Sequence, residues 1–267
     1  MRISFYKAKN RILTKAYRHV IQFLFWRVSP LISSIYFKYE HQGLMEYLAA
    51  GEPNKPSSEI RKTDLKLVIG NAKNIIEVGA NDGRDAVELS IVFPNAKIFA
   101  VECDSRLFGS FYDRTKLNCN ISLYPFAAWD DKTFRKLFES SGESFGSSSL
   151  LEPNLIKTKY PEIDFSHTVV NASKVSELIK ILDLPFVDLV WVDVQGAEMN
   201  ILKDLKSSLH RIGAIYLEVE VYEMYKGEAL YPEILEFFTK NGFVLYKEYA
   251  NEISPQNALF LNKTIQG

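Results

Sequence analysis

Residues 74–83 read Asn-Ile-Ile-Glu-Val-Gly-Ala-Asn-Asp-Gly. The apolar run Ile75, Ile76 and Val78 climbs into a turn bearing Glu77, Gly79 and Gly83. This is the pattern of a buried strand emptying into a glycine-rich loop at the carboxyl edge of a parallel sheet, where ligands of open α/β sheets bind. About twenty residues on, Ile98-Phe99-Ala100-Val101 forms a second buried-strand run that ends in Glu102. An acid at the tip of a second strand can accept both hydroxyls of a ribose. Together the two stretches imply a cofactor that contains adenosine.

The form of the loop narrows the choice. A dinucleotide fingerprint reads G-x-G-x-x-G and places pyrophosphate over a helix N-terminus. Here the loop reads E-x-G-x-x-x-G, with carboxylates at Glu77 and Asp82. Those acids are expected to repel a pyrophosphate and to suit a ligand with ammonium and sulfonium centres. Gly79 is expected to let the backbone approach the ligand, and Gly83 to open the following helix. The pattern resembles the first motif of class I S-adenosylmethionine-dependent methyltransferases. That resemblance implies S-adenosylmethionine as cofactor and Glu102 as the ribose-binding acid. The cofactor-binding set is then expected to be Glu77, Gly79, Ala80, Asn81, Asp82, Gly83, Glu102, Cys103 and Asp104, with Ala128 and Trp129 as candidates for the adenine slot. The plain alternative is a tight strand–helix turn in an unrelated α/β protein, with Trp129 as ordinary core.

Bulk properties bound the rest. A chain of 267 residues with 47% hydrophobic content supports one large α/β domain plus an appendage. Cys103 and Cys119 are too few for a disulfide scaffold and fit a reducing compartment. Four histidines, without an H-x-x-x-H or C-x-x-C pair, make a zinc site unexpected, and no dedicated metal site is expected. Charge is split along the chain. Residues 1–39 hold eight Lys or Arg and no acid, so a net charge of −1 overall leaves −9 for the remainder. An acidic body argues against a nucleic-acid partner.

The first forty residues therefore form a separate piece. Their densest apolar run, Phe23 to Trp26, stops at Arg27, with Pro30 beyond. A bilayer span needs about twenty apolar residues, so this stretch is too short and too broken to cross. A cleavable signal peptide fits poorly as well. Two readings stay open: an amphipathic helix lying on an anionic membrane surface, or a helical cap packed on the domain or on a second subunit. The expected location is cytoplasmic, with the membrane reading placing the protein peripherally at an inner face. Residues 51–59, Gly-Glu-Pro-Asn-Lys-Pro-Ser-Ser-Glu, read as a linker. The division expected is 1–50 as a basic, aromatic helical segment and 51–267 as the methyltransferase domain.

Along that domain, strands alternate with helices. Residues 59–70 predict a short helix before the first strand. Helices are expected over Asp85 to Val92, Leu107 to Leu117, Val175 to Leu182, Ile201 to Leu209 and Tyr231 to Asn241. Further strands are expected over Ile121 to Phe126, Val187 to Asp193 and Ile212 to Val221, with a closing antiparallel pair at Phe243 to Tyr246 and Ala258 to Leu261. The fold class expected is α/β: a Rossmann-like, doubly wound, mostly parallel seven-stranded sheet with a C-terminal antiparallel hairpin, plus the N-terminal helical segment. Phe134 to Gly142 predicts an inserted hairpin or loop, Ser144 to Ser149 a mobile serine-rich stretch, and His167 to Val170 a short edge strand.

Residues 192–198, Val-Asp-Val-Gln-Gly-Ala-Glu, leave the fourth central strand through Gly196 into a helix. This stretch resembles the I-D-V-[EQ]-G-A-E signature of the FkbM methyltransferases. Phe126-Ala127-Ala128-Trp129-Asp130, Ser147-Ser148-Ser149-Leu150, Glu218-Val219-Glu220, Tyr225, Gly227, Gly242-Phe243 and Ala258-Leu259-Phe260 resemble that family's other pieces in order, so the likeness spans roughly residues 70–263. Trp191 departs from it, standing where the family commonly has lysine. The resemblance implies O-methylation, often of sugars or polyketide-type hydroxyls, and therefore a small-molecule or glycan acceptor. A lipid-linked saccharide is suggested only by the basic front segment.

In-line methyl transfer needs alignment of donor and acceptor, and an alcohol acceptor must also lose its proton. Asp193 is the first candidate on the substrate side: it could orient the hydroxyl, act as base, or help hold a divalent metal. Its alternative is to cap the helix near Gly196. Glu198 could bind substrate or serve the helix N-terminus, and His167 could be a base or purely structural. Glu218 and Glu220 share a strand face, so one of them could touch substrate; sheet-edge hydrogen bonding is the alternative. A non-catalytic scaffold that retains the fold is the competing reading from another class. The missing third phosphate-binding glycine counts against a nicotinamide oxidoreductase.

Overall fold

The computed structural model describes residues 60–142, 144–250 and 255–263. The basic segment and the linker thus lie outside the described residues. Seven strands form one sheet in the order β3-β2-β1-β7-β8-β10-β9. Its members are β1 (Asn74–Val78), β2 (Lys97–Glu102), β3 (Ile121–Pro125), β7 (Val187–Val192), β8 (Ile212–Glu218), β9 (Phe243–Ala250) and β10 (Pro255–Asn262). Strands β3, β2, β1, β7 and β8 run parallel, and β10 lies antiparallel to both β8 and β9. The mostly parallel seven-stranded sheet with a terminal hairpin is the architecture expected. The chain steps outward from β1 through β2 to β3, then returns to place β7 on the other side of β1. That reversal opens a crevice at the carboxyl ends of β1 and β7.

Alternation along each strand sorts residues onto two faces. One face carries Ile76, Val78, Phe99, Val101, Val190, Val192, Ile215 and Leu217, buried against Val175, Ile179, Ile201, Leu202, Leu205 and Phe238. Those partners come from the helices Val175–Ile181, Glu198–Leu205 and Tyr231–Lys240. The opposite face carries Ile75, Glu77, Ile98, Leu189 and Trp191, all buried. Here Lys62, from the helix Lys62–Ile69, pairs with Asp85 at 2.6 Å and Glu88 at 3.3 Å on the helix Arg84–Val92. Its ammonium also lies 4.7 Å from the centre of the Trp191 ring. That ring stacks on Tyr216 of the neighbouring strand at 4.1 Å and 28°, so the departure at residue 191 is absorbed in core packing.

Strand and helix positions follow the periodicity closely; ends shift by a few residues. The helix expected over Ile201 to Leu209 begins earlier, at Glu198, and finishes as a 3-10 turn over Lys206–Arg211. The larger difference lies in the insertion. Strands β4 (Ala127–Ala128), β5 (Phe134–Gly142) and β6 (Ile163–Ser173) form a second sheet in the order β4-β6-β5. His167 to Val170 is therefore the middle of an eleven-residue central strand, not a short edge strand. Most of β6 is exposed or half-buried and carries Asp164, Ser166, His167, Thr168 and Asn171. Without a buried face it shows no apolar alternation, and only its pairing with β5 defines it. Among the described residues, no helix is long and apolar enough to cross a membrane.

Candidate active site

The loop after β1 folds back on β2. Gly79 and Ala80 both donate their N–H groups to the Val101 carbonyl at 3.0 Å. Gly79 has φ +86°, and a Cβ there would lie 1.7 Å from the carbonyl oxygen of Asp193. Gly79 is thus required by the neighbouring strand, whose Asp193 N–H donates to Val78 O at 2.9 Å, rather than by ligand approach alone. Gly83 opens the helix as expected, with φ +79°, but a Cβ would strike Phe111 and Thr115. It packs helix on helix and is not among the residues that line the cavity described next.

A cavity of about 270 Å³ sits at the carboxyl edge, lined by Gly79, Ala80, Asn81, Asp82, Glu102, Cys103, Asp104, Ala128 and Asp193 among others. Glu102 ends β2 beside it. Its Oε2 accepts the N–H of Asn81 at 2.7 Å, and its Oε1 accepts those of Cys103 and Asp104, both at 2.7 Å. A carboxylate has about four acceptor positions, so roughly one is left for a ligand hydroxyl. Burial pushes the Glu102 acid up, and the three backbone donors pull it down. Asn81 holds a left-handed φ of +49°, the conformation that aims its N–H at Glu102.

Glu77 departs from expectation. It belongs to the same strand end but faces the Trp191 layer and is absent from the cavity wall. At 1% exposure, burial raises its acid well above the usual range; Asp85 adds to this and Lys62 opposes it. Glu77 therefore does not present its carboxyl to the cavity, and the acids of the wall are others. Asp82, Asp85, Glu102, Asp104 and Asp193 line the cavity, with Arg84 as the one basic side chain among the described residues. Asp82 is tied to Arg114 and Asp104 to Arg106, each at 2.5 Å. The Cys103 thiol is pushed well up by burial and by Glu102 and Asp104.

The serine-rich stretch is pinned, contrary to the mobility expected of it. Phe145, Gly146, Ser148 and Ser149 line the same cavity. The Ser149 hydroxyl donates to Gln195 O at 2.6 Å, and Arg106 reaches Ser140 O at 3.0 Å and Ser148 Oγ at 3.2 Å. Arg106 escaped sequence reasoning because, Asp104 apart, its partners Ser140 and Ser148 are remote along the chain and no local pattern marks them. Trp129, weighed for the adenine slot, is core, with the Arg135 guanidinium 4.0 Å from its ring centre.

Asp193 stands exposed on the cavity wall, its Oδ1 accepting from the Gln195 amide at 2.8 Å. It caps no helix: Ala197 occupies that position without a side-chain cap. Glu198 is buried and folds back onto its own loop, accepting from Val194 N at 3.2 Å and Gly196 N at 3.3 Å. Burial raises its acid to about 8. Glu198 therefore clamps the turn and lines neither cavity, the structural role weighed for it. His167 is exposed on β6 opposite Phe138 and is not brought together with the other candidates at either cavity. Among the described residues, no group of three His, Cys, Asp or Glu side chains could hold a metal ion.

A second cavity of about 390 Å³ adjoins the first at Gln195 and is lined by Glu218, Glu220, Tyr225, Glu228, Lys159 and Tyr160 among others.

The family model described as "Methyltransferase FkbM domain" matches residues 77–245. The chain belongs to the FkbM methyltransferases. A curated relative, the 2-O-methyltransferase NoeI of Sinorhizobium fredii, is 26% identical over 201 residues, covering 73% of this chain and 83% of that one. Among solved structures, the precorrin-6y C5,15-methyltransferase of Geobacter metallireducens is 16% identical, covering 79% of this chain and 92% of that one, with a TM-score of 0.44. The fibrillarin of Aeropyrum pernix, solved with natively bound S-adenosyl-L-methionine, is 12% identical, covering 75% and 73%, with a TM-score of 0.45. This FkbM protein is an S-adenosylmethionine-dependent methyltransferase. The residues present fit that cofactor: a strand-end carboxylate with acceptor capacity for a ribose hydroxyl, and an acid-rich wall suited to a cationic ligand.

Proposed function

We propose that this FkbM methyltransferase methylates a hydroxyl of a sugar, a glycan or a lipid-linked saccharide. The observation that carries the reading is the second cavity, which meets the first at Gln195 and leaves room for an acceptor beside it. The 2-O-methyltransferase relative supports transfer to oxygen. In this reading Glu102 takes a ribose hydroxyl, the Gly79–Asp82 loop and Asp104 line the nucleoside, and Ala128 and Cys103 border the adenine. Bound there, S-adenosylmethionine supplies an activated methyl group on a sulfonium. Asp193 orients the acceptor hydroxyl, and alignment supplies much of the rate.

The acidic body of the chain speaks against a nucleic-acid acceptor. The eight basic residues of 1–39, with no acid among them, support weak attraction to an anionic membrane face. Co-sedimentation with anionic vesicles should lose protein to the supernatant when the chain starts near Glu40; equal recovery removes the membrane contact.

The decisive experiment incubates the purified protein with methyl-labelled S-adenosylmethionine and host glycan extracts, then locates the label by mass spectrometry. Label on a carbohydrate oxygen is expected. Label confined to protein or nucleic acid, or no transfer at all, refutes the reading.

A further inference from the structure

Gln195 is the partition between the two cavities. Its side chain lines both, and its amide Nε2 donates to Asp193 Oδ1 at 2.8 Å and to Glu218 Oε2 at 2.7 Å. One amide thus ties an acid on the wall of the first cavity to an acid on the wall of the second. The backbone at Gln195 holds a left-handed φ of +53°. The Ser149 hydroxyl bonds its carbonyl at 2.6 Å, and the Tyr225 hydroxyl bonds its Oε1 at 3.3 Å and Ser147 O at 2.8 Å. A sparsely populated backbone conformation persists only where its surroundings over-determine it, and here those surroundings fix an amide between two carboxyl groups.

We propose that the second cavity receives the acceptor as an uncharged, hydroxyl-rich ring, and that Glu218 takes the proton of the hydroxyl that is methylated. The proposal rests on the reading of the first cavity as the cofactor's. Position is the first reason: Glu218 is the acid of the second cavity that touches the partition, and Asp193, held by the same amide, also bonds the Glu218 carboxyl side chain to side chain. Charge is the second. The wall carries Glu162, Glu218, Glu220 and Glu228 against Lys159; burial raises the last three of these acids, so a phosphate or carboxylate on the acceptor meets full repulsion once they ionise, while ring hydroxyls meet acceptors. Shape is the third: the Tyr160 ring lines the cavity at 39% exposure, an apolar surface beside the acids. Gly196 leaves room, since a Cβ there would press on Tyr225 and Glu228 at 3.2–3.3 Å.

The chemistry balances without a further reactant. The acceptor oxygen bonds to the methyl carbon, the carbon–sulfur bond breaks with its electron pair staying on sulfur, and the hydroxyl proton passes to the Glu218 carboxylate. Burial, followed by Asp193, Glu198 and Glu220, raises the Glu218 acid well above its ordinary value, which makes its carboxylate a stronger base. Lys159, Tyr160, Glu162, Glu220, Tyr225 and Glu228 are the other titratable groups that line this cavity. Because the basic form exists only above that raised value, turnover should rise with pH through it.

The test offers methyl-labelled S-adenosylmethionine and a panel of neutral methyl glycosides with matched glycosyl phosphates to the full chain. Label is expected on neutral glycosides only. Glu218→Gln should lower kcat by about 100-fold or more and abolish the rising pH limb, while calorimetric affinity for S-adenosylhomocysteine stays at the wild-type value. Saturation-transfer NMR should show neutral glycosides, and not phosphates, in contact with the wild-type protein; Glu220→Lys should admit the phosphates. Wild-type turnover in Glu218→Gln, or phosphates bound as strongly as neutral glycosides, overturns the proposal. Loss of S-adenosylhomocysteine binding in Glu102→Ala alone leaves it standing. Failure of that variant to weaken binding instead overturns the underlying placement of the cofactor.

Discussion

The two cavities at the carboxyl edge of the sheet are made of different material. The first is shaped largely by backbone. N–H groups of Gly79, Ala80, Asn81, Cys103 and Asp104 are all spoken for by Val101 O or the Glu102 carboxylate, and about half of the residues lining it come from 78–85 and 101–107, the others from 126–150 and 193–195. The second is shaped by side chains drawn from four distant stretches, around residues 144–163, 195–196, 218–228 and 256. A backbone-built site tolerates changes in neighbouring side chains and keeps one ligand. A site built of remote side chains changes with each substitution, as specificity requires. The contrast matches a shared donor on one side and a particular acceptor on the other.

Gly79→Ala strikes hardest at that contrast, because it alters the backbone where the two halves of the edge meet. A Cβ 1.7 Å from Asp193 O, at φ +86°, must separate β1 from β7. Left-handed strain plus overpacking should cost about 4 kcal/mol, visible as a large drop in denaturation midpoint together with loss of cofactor binding. A midpoint near wild type would mean the two strand ends are not rigidly joined.

Glu102→Ala comes next. It removes a ligand acceptor and strands three N–H groups, so the dissociation constant for S-adenosylhomocysteine should rise about 10- to 100-fold. Calorimetry beside a melting curve separates the two effects; unchanged affinity would dismiss Glu102 as a ligand group and leave it a loop clip.

Asp193→Asn keeps the amide contact geometry while discarding a charge beside Glu218. Cofactor affinity should hold and kcat should fall about tenfold. Equal turnover would make Asp193 a passive part of the wall. The smallest effect belongs to His167→Ala. An exposed side chain on β6 away from both cavities should alter stability by less than about 0.5 kcal/mol and leave kcat unchanged. A large loss of activity would bring the insertion's outer face into the mechanism.

How far the sequence could be read follows the same division. Strands β1, β2, β7 and β8 were legible because parallel strands buried on both faces are written as continuous apolar runs. Glu102 and Asp193 were legible because each is the polar residue that ends such a run. Strand β6 was not: its half-solvated residues have no apolar period, and it exists through pairing with β5. The orientation of Glu77 was also hidden. Alternation assigns it a face, but which face meets the cavity depends on where β7 enters the sheet.

Local pattern alone determined the doubly wound sheet, the carboxyl edge as the place of chemistry and the family to which the chain belongs, since periodicity and turn residues act over a few positions. Tertiary structure decided which acids share a wall. It turned Glu77 and Glu198 inward, set Gln195 between Asp193 and Glu218, and brought the serine stretch and Tyr225 against them. Apart from the Gln195–Asp193 bond, those hydrogen bonds join residues from about twenty to eighty positions apart, and only the closing of the fold brings such groups within bonding distance.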